Sequence, residues 1–159
     1  MAKIGFGEHP SNIFERLLEG GVFPKFIHLI EVADMKEKLM VEDDYTVFVP
    51  YDEALDFAPV EKLKEFEEAL KDKEKAKKLL GRYMLKGYHK ISQIASKNYI
   101  ETLSGEKLKV EKFCQIKDED NLEMDIESGI ITVKVNDAKV EIANVPCSNG
   151  IIHIINNLL

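Results

Sequence analysis

The chain has 159 residues, 45% hydrophobic and 32% charged, the balance of a globular domain with its own core rather than of a disordered segment. Its formal net charge of −7 argues against nucleic acid or anionic lipid as the main partner, because both require clustered Lys and Arg. No window reaches the roughly 18 apolar residues of a membrane helix, and the opening "MAKIGFGEHP" has neither the apolar run nor the small-residue cleavage site of a secretory leader.

In chain order, "PSNIFERLLEGG" reads as a helix with Ser11 or Asn12 as N-cap and a stop at Gly20-Gly21. Ile13, Phe14, Leu17 and Leu18 form its apolar stripe. "FPKFIHLIEVADM" predicts a second helix that turns Phe26, Ile27, Ile30 and Ala33 inward. "YTVFVP" is a β-branched and aromatic run halted by Pro50, hence a short strand. "YDEALDFA" follows as a short helix with Asp52 and Glu53 at its positive end.

"VEKLKEFEEALKDKEKAKKLLGRYML" predicts two helices parted near Lys71-Asp72, with stripes Val60, Leu63, Phe66, Leu70 and Ala76, Leu79, Leu80, Tyr83. The charges between the stripes form a solvated face. After Tyr99 the pattern alternates. "YIETL", "EKLKVEKF", "GIITVKVN" and "AKVEIANV" predict strands, with turns at Ser104-Gly105, Ser128-Gly129 and Asn136-Asp137. The last strand, "GIIHIINNLL", has isoleucines on both faces around His153. It therefore predicts a central strand buried on two sides, with a hydrogen-bonded core histidine. The change from helical to strand-like pattern has no linker, so residues 1–159 read as a single α+β domain.

Screening for chemistry finds no dinucleotide, phosphate-loop, zinc-protease or nucleophile-elbow motif. "SGEK" at Ser104–Lys107 fits S-x-x-K but falls in a hairpin turn without partner motifs. Asp118–Asp125 has Leu122 and Glu123 where a calcium loop needs a ligand and a glycine. The histidines His9, His28, His89 and His153 share no ligand spacing. No metal, no cofactor and no catalytic residue is expected. Cys114 and Cys147 are too few for a disulfide scaffold and are expected as free thiols.

Two stretches carry a family resemblance. "TVFVPYDEAL", Thr46 to Leu55, resembles the first signature of the fasciclin (FAS1) domain, and "SNGIIHIINNLL", Ser148 to Leu159, resembles the second. Thr46, Phe48, Pro50, Asn149, Gly150 and His153 are the structural positions of these signatures. The resemblance implies a wedge of two small, largely antiparallel sheets with helices packed around it. It also implies a non-enzymatic adhesion or surface-interaction module, monomeric, with a protein, matrix or cell-surface component as partner. A small-molecule or lipid carrier with a pocket between helices and sheet is the alternative. Family members are typically exported or surface-bound; a native start at Met1 without a leader would instead mean a cytoplasmic protein.

Some animal members have a Tyr-His segment and an Asp-Ile pair linked to integrin binding. Aligning the family's glycine with Gly87 places Arg82 and Tyr83 at the first pair, and the second pair falls on Asn144 and Val145. These four are the carried-over binding candidates, and their substitutions remove support for integrin recognition. Asn149-Gly150 is expected to adopt φ > 0 in a tight turn before the last strand.

Overall fold

The computed structural model describes residues 11–41, 44–114 and 131–159. Helices α1 (Ile13–Gly20), α2 (Pro24–Val32) and α3 (Lys36–Val41) precede strand β1 (Tyr45–Pro50). Helices α4 (Asp52–Leu55), α5 (Val60–Ala69) and α6 (Lys73–Arg82) lead to β2 (Met84–Lys86) and α7 (Ile91–Ala95). Strands β3 (Tyr99–Glu101), β4 (Lys107–Cys114), β5 (Ile131–Val135), β6 (Ala138–Cys147) and β7 (Gly150–Ile155) complete the order.

Local chemistry explains several boundaries. Asn12, not Ser11, caps α1, its side chain accepting from the Glu15 N–H, and Gly21 ends the helix at φ 73°. Pro24 opens α2, where its missing N–H is harmless. Asp72 caps α6 by accepting from the Glu74 and Lys75 N–H groups, so the break inferred near Lys71-Asp72 is a true N-terminus. Asn136 turns β5 into β6 at φ 53°. The Ser128-Gly129 turn and the Asp118–Asp125 stretch lie outside the described residues.

The expected α+β class is observed, but the two small sheets are not. Hydrogen bonding runs unbroken through seven strands in the order β2-β1-β7-β6-β5-β4-β3. The physical reason is β6, a ten-residue strand with two register shifts, between Val140 and Ile142 and between Ile142 and Val145. These irregularities bend the strand, so it pairs with β5 at its root and follows β7 along its length. All pairings are antiparallel except β1 with β7. Both of these strands are buried at every position, as a strand covered on two faces must be.

The core is contiguous, from Ile13 and Leu17 of α1 through Phe26, Leu29 and Ile30 of α2 to the sheet. Two stripe positions fall outside it: Val60, the first residue of α5, is 79% exposed, and Leu18 is 55% exposed. Leu29, absent from the inferred stripe of α2, is fully buried, whereas Ile27 is half-buried.

Candidate functional site

His153 has no solvent exposure. Its Nδ1 accepts the Asn144 N–H at 3.0 Å. Its Nε2 is 2.8 Å from the His89 carbonyl and therefore donates to it. One neutral tautomer satisfies both bonds, with the proton on Nε2. The ring is tilted against Phe48, its partner across the β1–β7 ladder, at 5.8 Å between centroids. With its basic nitrogen committed to a main-chain N–H, the imidazole is not placed to take a proton from a substrate.

Asn144 sits at the second irregularity of β6 with φ 60°, a conformation Asn tolerates better than most residues. Its Oδ1 accepts the Ile91 N–H at 2.9 Å, at the first residue of α7. His153 and Asn144 therefore tie β7 and β6 to the segment around His89 and α7. Val145 beside it is buried and pairs with Ile152. Thr46 joins the same segment: its Oγ1 donates to the Gly87 carbonyl at 2.8 Å and accepts the His89 N–H at 2.9 Å. Pro50 pairs with Ile155 at the end of β1.

The Asn149-Gly150 expectation holds in part. Ser148 and Asn149 form the tight turn between β6 and β7, with Cys147 paired to Gly150. Gly150 has a positive, near-extended φ of 159°, whereas Asn149 is not among the positive-φ residues. Glycine is required here by space: a Cβ would lie 2.0 Å from the Tyr45 carbonyl oxygen and 2.9 Å from Ile13 Cδ1. Asn149 is buried, accepting the Ile13 N–H at 2.9 Å and donating to the Leu39 carbonyl at 2.8 Å. One side chain thus holds α1 and α3 against the start of β7.

Arg82 ends α6 at the rim of a cleft of about 590 Å³ lined by charged groups of α5 and α6 and by the Ser104–Glu106 turn. Its guanidinium is forked onto Glu65, Nη1 to Oε1 at 2.6 Å and Nη2 to Oε2 at 3.2 Å. Nε donates to Glu106 at 2.8 Å, and Nη1 also reaches the Leu159 main-chain oxygen at 3.1 Å. Burial works against the charge, but the hydrogen bonds to Glu65 and Glu106 outweigh it and raise the Arg82 pKa. Tyr83 is buried, with its hydroxyl accepting the Leu159 N–H at 3.0 Å and its ring edge-on to Phe26. Burial raises its phenol pKa.

The structure therefore joins Arg82 with Tyr83 through Leu159, and Asn144 with His153. Tyr83 and Val145 are buried, whereas Arg82 and Asn144 are half-buried, and Arg82 lines the cleft. Sequence patterns did not reveal Arg16, which is buried, with Nε donating to the Pro146 carbonyl at 3.1 Å. A charged residue on an otherwise apolar helix face was its one visible signal. Among the described residues, no group of three or more His, Cys, Asp or Glu side chains is arranged to hold a metal. Cys147 is free, and burial pushes its thiol up to about 12.

The comparisons agree on the family. The Fasciclin domain profile matches residues 21–159, and the chain belongs to the fasciclin domain family. It is 26% identical over 154 residues to human periostin, which covers 93% of this chain and 16% of periostin. It is 29% identical over 140 residues to protein sll1483 of Synechocystis, covering 86% of this chain and 66% of that protein. The chain thus spans less than two thirds of each of these relatives. In structure it resembles a FAS1 domain pair from the insect cell adhesion molecule Fasciclin I, with a TM-score of 0.68 at 16% identity, over 94% of this chain and 50% of that one.

Proposed function

We propose that the chain is a non-enzymatic interaction module of the fasciclin type, acting in adhesion at a cell surface or in a matrix, with a protein or matrix component as its partner. The observation that carries this reading is the family match over residues 21–159, joined by a structural likeness to a cell adhesion molecule. The site geometry supports it: the conspicuous polar side chains, His153, Asn149, Asn144 and Arg82, are committed to internal main-chain groups or carboxylates. Among the described residues, no helix is long and apolar enough to cross a membrane. We place the domain outside the cell or on its surface, as its family suggests.

Arg82 and the adjoining cleft are the proposed contact region among the carried-over positions, with Tyr83 supporting it from within through Leu159, while Asn144 and Val145 belong to the separate node around His153 and α7. The test immobilises the domain and measures retention of envelope and matrix fractions from the source organism. Saturable binding of a macromolecule, weakened by Arg82→Ala, is expected, together with no turnover of a panel of ester and glycoside substrates. Turnover would overturn the non-enzymatic reading. The carrier alternative draws on the 590 Å³ cleft, whose lining mixes the charged Glu65, Glu68, Lys75 and Lys78 with Ala69 and Leu79. A small molecule retained in native mass spectrometry, with no macromolecule bound, would favour the carrier.

A further inference from the structure

Strand β3 lies at one end of the sheet and β2 at the other. On its inner side β3 is paired: Val110 N–H donates to Asn98 C=O, and Thr102 N–H to Glu106 C=O, with Ile100 opposite Leu108. This register leaves the main-chain N–H and C=O groups of Tyr99 and Glu101 facing away from β4. Neither residue makes a main-chain hydrogen bond on that side to a described residue.

The two sheet edges approach each other without zipping. Leu103 N–H donates to Met84 C=O at 3.0 Å. Two residues further along, an antiparallel ladder would pair Glu101 with Lys86. Instead the Lys86 carbonyl accepts from His89 Nε2 at 2.8 Å. A cleft of about 120 Å³ stands in the gap, with Lys86, His89, Lys97, Tyr99 and Glu101 in its lining.

We propose that the outer edge of β3 receives an extended acidic peptide as an additional strand, with one carboxylate side chain in this cleft. The proposal rests on the interaction-module reading and names its partner chemistry. Main-chain bonds to Tyr99 and Glu101 supply binding, and the cleft supplies selectivity. The charge around the edge sets the occupant. Lys107 and Lys109 stand opposite Glu101 and Tyr99, and Lys86 and Lys97 line the cleft, against Glu101 and Glu111. This local excess of lysine occurs on a chain of net charge −7. A second copy would set lysine against lysine, the arrangement that guards exposed edges from self-pairing. An acidic strand meets opposite charge instead.

The test titrates the whole chain with a short synthetic peptide of alternating valine and glutamate, and with its valine–lysine counterpart, following amide shifts and hydrogen exchange. The acidic peptide should slow exchange at Tyr99 and Glu101 by roughly tenfold or more, as new main-chain bonds would, and the basic peptide should not. Tyr99→Pro removes a donor that β4 does not use and should abolish protection; proline is tolerated at such an edge. Lys97→Glu, which leaves the backbone untouched, should weaken the acidic peptide at least several-fold. Protection at other sites, equal binding of both peptides, concentration-dependent self-pairing of the chain, or no protection would each overturn the proposal. Retention of an envelope component by a chain that gains no protection at Tyr99 and Glu101 from the acidic peptide would overturn it while leaving the interaction-module reading intact.

Discussion

His153 and Asn144 act as one unit, because the main chain of Asn144 serves the ring and its side chain serves α7. Truncating the ring leaves a cavity and strands the Asn144 N–H and the His89 carbonyl. His153→Ala is expected to lower unfolding free energy by about 2–4 kcal/mol, read as a fall in the denaturant midpoint. Asn144→Ala loses the α7 contact and places a less tolerant residue at φ 60°, for about 1–3 kcal/mol. The double variant should fall short of the sum, since both changes break the same node; full additivity would show two independent sites. Gly150→Ala is expected to be worse than either, because its Cβ would meet a main-chain oxygen at 2.0 Å, and a folded yield near wild type would refute that packing. The burial of His153 was legible from isoleucines on both sides of it. Its partner was not, because the His89 carbonyl is 64 residues away in sequence. Asn149-Gly150 was legible as the turn into β7; the close approach of Gly150 to the Tyr45 carbonyl, which leaves no room for a Cβ, is visible only in three dimensions.

At the scale of elements, the capped helices and the alternating strands were legible because their signals are local. Strand β2 was not. "LLGRYML" continues the apolar stripe of α6, and only pairing with β1 draws Met84–Lys86 into extended form. Helix α7 has no strong pattern either; Gln93 accepts the Lys90 N–H and Asn144 the Ile91 N–H, so its start depends partly on a distant residue. Arg82 is the fastening between elements: through Glu65, Glu106 and the Leu159 oxygen it joins α5, α6, the β3–β4 turn and the residue beyond β7. Arg82→Met keeps much of the hydrocarbon and removes the charge. It is expected to destabilise by about 1 kcal/mol, because the hydrogen bonds of a largely buried guanidinium are lost while the Glu65 and Glu106 carboxylates, 48% and 37% exposed, regain water. Thermal melts in low and high salt check this. The wild-type advantage should shrink in high salt only modestly, since the arginine side chain is 17% exposed. An identical melting temperature for variant and wild type would mean that the clamp is not stabilising.

At the scale of the whole molecule, the unbroken sheet explains why two separated signatures could be read from sequence. They contain β1 and β7, adjacent and parallel, second and third in the sheet order and buried at every position, so the strongest local patterns belong to the most buried strands. The edges, where binding is proposed, have weaker patterns because solvent tolerates many residues there. The same burial sets the response to pH. Cys147 and Tyr83 are acids held neutral by burial, the thiol raised from 9.0 to about 12 and the phenol raised above 10.0. Raised folded values mean that the unfolded chain releases its protons first. Stability from both groups is therefore complete below pH 9, and is lost as pH rises through the folded values. For the thiol, the loss at pH 10 is about 1 kcal/mol, one unit above its unfolded value. Denaturant unfolding at pH 7.5, 9, 10 and 11, under reductant, should show the decline beginning above about pH 9. Cys147→Ala should flatten the first part of that decline and leave the loss from Tyr83, which begins above about pH 10. The same held-back thiolate should make Cys147 slow to alkylate at neutral pH in the folded chain. Rapid modification at pH 7.5, or superimposable curves for Cys147→Ala and wild type between pH 9 and 10, would show that the thiol ionises in the folded domain as readily as it does in the open chain.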